Sequence, residues 1–318
     1  MLATALLTKL LSRALLIAGL ASASAFAASA EESSIRVGPI DAVLTTPSNV
    51  ERPPVALLIA GSGSIDRDGN GPQLKPATLK KLADDLAAHG IASLRYDKRG
   101  AKGWKPAFGK PEDFRFKDYV DDAASLVDFL RGKFARVVLV GHSEGGLVAI
   151  LTARKVPVDR LVLLVTSARK QGDLLKAQLE KKLPPEKFEP IARAIDNIMA
   201  GQTVDPPPEG LPIAPAMQPG MASAFNEDPI DPLKQIIVPI LIVGGGRDRQ
   251  LPRLDLIALE TAAPAAKTLW LPDMNHVLVD VTDDDDDLKS YNDAARPLDP
   301  DLVDAVSAFI IGAEGPRN

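Results

Sequence analysis

The feature that most restricts the fold is a junction in the middle of the chain. Val137-Val138-Leu139-Val140 runs straight into Gly141-His142-Ser143-Glu144-Gly145-Gly146, and apolar residues at helical spacing continue from Leu147 to Arg154. A short β-branched and aliphatic run reads as a strand, and the spacing after it reads as a helix. A strand can become a helix within so few residues only if the backbone at the turn is strained and its neighbours lack a Cβ that would collide. The pattern here is Gly-x-Ser-x-Gly between strand and helix. Such a turn pushes Oγ of Ser143 outward. It also sets that oxygen at a helix N-terminus, where unpaired N–H groups favour a developing negative charge. A glycine-rich turn with an incidental serine has the same local sequence, so the decision rests on the partners a nucleophile needs.

The surrounding pattern supplies a frame for such a turn. Two opening strands are predicted at Ser34 to Val37 and Ala42 to Thr46, and apolar runs follow at Val55 to Ala60, Ile91 to Tyr96, Ala135 to Val140, Leu161 to Val165, Pro239 to Val243 and Lys267 to Leu271. Continuous apolar runs of this length suit strands buried on both faces. Helical spacing separates them at Pro76 to His89, Asp118 to Leu130, Leu147 to Arg154 and Leu254 to Thr261, and closes the chain at Asp299 to Ile311. This alternation predicts an α/β fold with a mostly parallel central sheet flanked by helices. Ligands in such sheets bind beyond the carboxyl ends of the strands. The rhythm breaks at about residues 167–236, where two helices (Leu174 to Leu183, Phe188 to Met199) precede the proline-rich Pro206-Pro207-Pro208. That segment is expected to form a small helical cap inserted in one catalytic domain spanning residues 31–318.

A serine hydroxyl is hardly ionised near neutral pH and needs a base. The chain has three histidines, His89, His142 and His276. His89 ends a predicted helix and is expected to face solvent. His142 precedes the serine and is expected to point away from the attack face. His276, in Leu271-Pro272-Asp273-Met274-Asn275-His276, follows the last strand and is the expected base. A carboxylate must hold its tautomer. Asp248, just after the strand in Leu241-Ile242-Val243-Gly244-Gly245-Gly246-Arg247-Asp248, is preferred over Asp273 and Asp280, which are merely nearer in sequence. The order Ser143, Asp248, His276 is the order expected on this kind of sheet. The oxyanion of acyl transfer needs preorganised donors. The N–H of Glu144 is one, and the loop Ala60-Gly61-Ser62-Gly63-Ser64 offers Ser62 as the other, with Gly63 as the alternative. That loop lacks the third glycine and the Lys-Ser/Thr pair of phosphate-cradling loops.

Composition narrows the rest. The formal net charge is −5, which speaks against nucleic acid as a partner. There is no cysteine, which excludes thiol nucleophiles, thiolate metal ligands and disulfides. Lys9 and Arg13 precede the apolar run Ala14 to Leu20, and small residues follow with Ala25-Phe26-Ala27 and Ala28-Ser29-Ala30 as cleavage options. Residues 1–30 are therefore expected to be a secretory signal peptide. The apolar run is shorter than the ~20 residues of a spanning helix, so no membrane insertion is expected once it is cleaved. Removing it takes the formal charge from −5 to −7, since two basic residues and no acid are lost. A secreted or periplasmic location follows as the expectation. The run Asp283 to Asp287 lacks the spacing of a calcium loop and is expected to be a solvated loop. Met199, Met217, Met221 and Phe225 are candidates for an acyl pocket in the cap or for ordinary cap packing.

Taken together, these segments resemble the α/β-hydrolase superfamily, in particular bacterial secreted esterases close to the serine aminopeptidase-like branch. The likeness rests on Ala60 to Asn70, on Tyr96-Asp97-Lys98-Arg99-Gly100, on the serine turn, on Gly245 to Asp248 and on Asn275-His276, and it spans Ile35 to the C-terminus. It departs from the family at Ala60-Gly61, where many relatives carry His-Gly. It departs again at Ala101-Lys102-Gly103-Trp104, where relatives often continue Gly-x-Gly-x-Ser. The resemblance implies hydrolysis of a small ester or short acyl substrate through an acyl-enzyme on Ser143, without metal or organic cofactor. A small-peptide aminopeptidase or amidase and a non-catalytic hydrolase-like binder are the alternatives. Asp97 and Arg99 are expected to pair and tie their loop. Asp66, Arg67 and Asp68 are expected to brace the oxyanion loop or, alternatively, to bind polar groups of the substrate. Acyl length and oligomeric state stay open.

Overall fold

The computed structural model describes residues 30–312. The leader expected over residues 1–30 lies outside them, save Ala30, which opens the first strand. Eight strands form one sheet: β1 (Ala30–Val37), β2 (Ile40–Pro47), β3 (Val55–Ile59), β4 (Ala92–Tyr96), β5 (Val137–His142), β6 (Arg160–Leu164), β7 (Ile240–Gly245) and β8 (Lys267–Leu271). Their order is β1-β2-β4-β3-β5-β6-β7-β8. β2 runs antiparallel to both neighbours and every pairing from β4 to β8 is parallel. This is the mostly parallel, helix-flanked sheet that the alternating pattern predicted, and it agrees with the fold implied by the resemblance to α/β-hydrolases.

The apolar runs are continuous because both sheet faces are covered. Val55, Leu57 and Ile59 of β3 join one core, and Ala56 and Leu58 join the other. Leu161 and Leu163 of β6 alternate with Val162 and Leu164 in the same way. The first core is closed by α2 (Lys117–Leu130), α3 (Glu144–Lys155) and α8 (Arg253–Ala262), through residues such as Leu126, Ile150 and Leu259. The second is closed by α1 (Thr78–Ala88) and α10 (Pro300–Ile311), through Leu82, Leu86, Leu302 and Val306. Burying each large aliphatic side chain contributes about 1.5–3 kcal/mol. The start of α10 is set locally: Asp299 accepts a hydrogen bond from Leu302 N at 2.9 Å, and Pro300 takes the first position.

Between β6 and β7 lie α4 (Gln171–Glu180), α5 (Pro185–Met199), α6 (Gln218–Phe225) and α7 (Ile230–Leu233). The first three enclose their own small core around Ile191, Ile195, Ile198 and Phe225. The acidic run differs from expectation. Residues Asp284–Ser290 form a helix, α9, whose start is capped by the Asp283 carboxylate accepting from Asp286 N at 2.9 Å. Carboxylates in a first helical turn are stabilised by the helix dipole, which offsets their mutual repulsion. Asp287 is buried and Asp286 is bound to Arg296, so the run is a structural helix start. Among the described residues, no helix is long and apolar enough to cross a membrane, and no cluster of His, Asp and Glu could hold a metal.

Candidate active site

Ser143 stands alone between β5 and α3 with φ 55° and ψ −122°. A non-glycine residue with positive φ is strained, and here the surroundings hold it there. Its N–H donates to the Leu164 carbonyl at 2.9 Å, and its own carbonyl accepts from Gly146 N at 2.9 Å. The flanking glycines are needed for closeness. A Cβ on Gly145 would collide with the Ile59 carbonyl oxygen, and one on Gly141 would collide with the backbone of Gly145.

His276 and Asp248 reach the serine from loops after β8 and β7. The Nδ1–H of His276 donates to Asp248 Oδ2 at 2.7 Å, and the two side chains are only 7% and 1% exposed. The other Asp248 oxygen accepts from the N–H groups of Gln250 (2.7 Å) and Leu251 (3.0 Å). The carboxylate is thus pinned by its own backbone turn. With Nδ1 donating, Nε2 carries the lone pair. Ser143 and His276 line one cavity of about 220 Å³, together with Gly61 and Ser62 of the loop after β3. No hydrogen bond joins the serine hydroxyl to the His276 ring among the described residues, a looseness common before substrate tightens a site. A Cβ on Gly61 would lie 3.3 Å from that of Ser143, so the loop carrying Ser62 passes directly beside the serine. Glu144, first residue of α3, has an N–H with no partner within its helix.

A second cavity of about 210 Å³ also meets Ser143, Ser62 and Glu144, and extends under the cap to Leu174, Met221 and Phe225. Met221 and Phe225 therefore face the site. Met199 lies against Gly172 in the cap interior, and Met217 ends a short turn before α6.

Residues read otherwise from sequence also shape the site. His142 does not turn away: its Nε2 lies 2.8 Å from the carbonyl oxygen of His276, with the ring centroids 5.1 Å apart. Burial, aided by nearby His276, pushes its pKa down to about 4, so the ring is neutral near pH 7 and its Nε2–H donates to that carbonyl. Asn275 is fully buried and ties the same loop. Its Oδ1 accepts from Val277 N and Val279 N, and its Nδ2 donates to Asp287 (2.7 Å) and Ser290 (2.8 Å). Asp97 pairs with Arg67 at 2.6 Å and not with Arg99, which grips Asp122 at 2.7 and 2.8 Å. Asp66 accepts from the N–H groups of Asp68 and Asn70, and Asp68 binds Arg95. Asp66, Arg67 and Asp68 thus brace the loop that carries Ser62. Glu144 Oε1 accepts from Lys98 Nζ at 2.7 Å, and Lys98 is wholly buried with its ammonium over the Tyr119 ring.

The His276 segment carries a pH-dependent contact. Asp280, which pairs with Met274 across this loop, has its pKa raised to about 6 by partial burial and a hydrogen bond shared with Asp299. A carboxyl raised in the folded state binds more protons there than in the unfolded chain. Its stabilisation is present below pH 4 and is lost as pH rises through about 6. Asp280 is exposed, so solvent screening keeps the contribution to ~1 kcal/mol or less. Asp280→Asn is expected to gain in urea midpoint over wild type as pH goes from 4 to 7, and a difference constant with pH would refute the shared proton. His142 acts with opposite sign over the same window, and comparison of variant with wild type cancels it.

Three comparisons place this geometry among known proteins. The family model described as alpha/beta hydrolase family matches residues 56–289. Esterase EstD of Thermotoga maritima is 27% identical over 257 residues, a match covering 78% of this chain and 60% of that protein. The chain thus spans about 60% of the length of this curated relative. Among solved structures, Est1E of Butyrivibrio proteoclasticus with ferulic acid bound superposes with a TM-score of 0.57 at 20% identity, covering 88% of this chain and 98% of that one. A proline iminopeptidase of Mycobacterium smegmatis gives 0.54 at 16% identity, with 89% and 98% covered. At such identities both likenesses speak for the fold alone. The family match, which extends over well more than half the sequence, is decisive: the chain belongs to the alpha/beta hydrolase family.

Proposed function

We propose that this protein is a serine esterase that cleaves small carboxylic esters through an acyl-enzyme on Ser143. The observation that carries the reading is one cavity onto which Ser143, the Asp248-held His276 and the Ser62 loop all open. In the first step His276 Nε2 takes the Oγ proton as Oγ attacks the ester carbonyl. The N–H groups of Ser62 and Glu144 receive the oxyanion. The C–O bond to the alcohol breaks, His276 returns the proton to the departing alkoxide, and an acyl-serine remains. Water, deprotonated by His276, then releases the acid and restores the hydroxyl. The likeness to an esterase over most of this chain supports the choice of ester. The leader-like residues 1–30 support export and removal of that segment, giving a secreted or periplasmic enzyme.

An aminopeptidase is the second reading, and it requires an acidic clamp for a substrate amine. Glu144 lines the cavity beneath the cap and Asp68 lies in the loop after β3, and they are engaged by Lys98 and Arg95. That occupancy favours the ester. The test is to label purified protein with a fluorophosphonate probe, map the adduct by mass spectrometry, and compare p-nitrophenyl esters with aminoacyl p-nitroanilides. Labelling at Ser143 with faster ester turnover is expected. Labelling with preference for the anilides would give the peptidase, and absence of both labelling and turnover would leave a binding protein.

A further inference from the structure

The cavity at Ser143 continues outward into a hollow of about 690 Å³. Leu74, Gln250 and Tyr291 line both spaces, and Gln178 and Gln250 join the hollow to the cavity beneath the cap. A substrate too long for the inner cavities extends into it. Gln250 follows Asp248 by two residues and approaches the Tyr291 hydroxyl at 3.4 Å, so the passage runs beside the His276–Asp248 pair.

The outer hollow has an unusual charge balance for an acidic chain. Lys181 and Lys182, just past the end of α4, and Arg249, after β7, all border it. Neither lysine meets a carboxylate within salt-bridge distance among the described residues. Arg249 lies 3.4 Å from Asp284, with both side chains mostly exposed. Of the other acids of α9, Asp286 is spent on Arg296 and the buried Asp287, which also lines the hollow, on Asn275, while Asp285 is exposed to solvent. Leu74, Leu288 and Tyr291 form the apolar part of the wall, with Leu288 64% exposed, beside Gln178, Asn292 and the buried Asp287. An apolar stretch of wall beside two lysines that meet no carboxylate, with Arg249 held only by an exposed ion pair, matches a ligand with a hydrocarbon stretch and a terminal anion.

We propose that the natural substrate is an ester bearing a carboxylate several atoms from the scissile carbonyl, and that Lys181, Lys182 and Arg249 receive that carboxylate while Leu74, Leu288 and Tyr291 cover the stretch between. This rests on the esterase reading above. The carboxylate belongs to either the acyl or the alcohol side, and two substrate series separate these. One pairs p-nitrophenyl hydrogen suberate with its methyl-capped neutral counterpart. The other pairs the butyrate ester of a hydroxyhexanoate with the same compound as its methyl ester, followed by pH-stat.

In at least one series kcat/KM is expected to be higher for the anionic member at low ionic strength, with the advantage shrinking as salt is added. The double charge reversal Lys181→Glu with Lys182→Glu is expected to cut that advantage by about tenfold, the anionic member losing far more than the neutral one. A neutral ester preferred in both series, or a ratio indifferent to salt and to the reversal, overturns the proposal. If the lysines serve only the C-terminal dipole of α4, the reversal lowers the melting temperature and leaves the ratio alone, which also overturns it. Failure of every ester, neutral ones included, would instead sink the esterase reading.

Discussion

Replacing Ser143 with alanine is expected to lower kcat for a p-nitrophenyl ester on the order of 10⁶-fold, and Asp248→Asn by about 10⁴-fold, with both variants folded. The second loss follows from how Asp248 is held. Its Oδ1 accepts from Gln250 N and Leu251 N, and its Oδ2 receives the His276 Nδ1–H at 2.7 Å. An asparagine can satisfy the two backbone donors only with its amide oxygen. Its NH₂ group must then face His276 and donate to Nδ1. That places the ring proton on Nε2, the atom that has to accept the serine proton, so the base is disabled while the geometry survives. The check is steady-state kinetics beside a far-ultraviolet circular dichroism spectrum. If Asp248→Asn keeps more than a tenth of wild-type kcat, another carboxylate orients His276. Asp280 would be tested next, although it lies at the surface of the same loop and shares a hydrogen bond with Asp299.

The inner strands were legible because burial on both faces leaves few polar positions to interrupt them. Val55–Ile59 and the Leu161 to Leu164 part of β6 could therefore be read from apolar content alone. The serine turn was legible because its steric demands admit few residues. What escaped depends on contacts distant in sequence. The cap helices α6 and α7 carry prolines, are short, and have little periodicity of their own. Asp97 and Arg99 stand two residues apart and carry opposite charges, yet each finds its partner on another element, Arg67 and Asp122. The acidic run lacks the spacing of a calcium loop and on that ground reads as a solvated loop. The outcome was set by a cap on Asp286 N and by Asn275 reaching Asp287. His142 was expected to turn away because the residue before a nucleophile is outside the attack face. The loop bearing His276 folds over it and takes its Nε2–H. Lys98 stood within the motif Tyr96 to Gly100 that carried the family likeness, but only the fold brings it 46 residues along to Glu144.

That last contact supports the prediction of largest effect on stability. Lys98 is completely buried, and its only carboxylate partner at salt-bridge distance among the described residues is Glu144, whose side chain is 12% exposed. Lys98→Met removes one charge of a buried pair and strands the other, a change that typically costs about 3–5 kcal/mol. The stranded carboxylate also stands one residue after Ser143, the proposed nucleophile, on the residue whose N–H is proposed to receive the oxyanion. Negative charge there opposes the charge that develops in the transition state, so kcat is expected to fall while KM stays near wild type. Adding Glu144→Gln to Lys98→Met removes the stranded charge and keeps the backbone donor. The double variant is expected to recover most of the urea midpoint and most of kcat. Glu144→Gln alone leaves Lys98 buried without its anion and is expected to be destabilised in its turn, so the two single losses should exceed the loss in the double variant. Additive losses would mean that the two side chains do not depend on one another. If Glu144→Gln instead abolished turnover of aminoacyl anilides while sparing esters, Glu144 would be the amine clamp of a peptidase, and Lys98 would be the group that holds it in place.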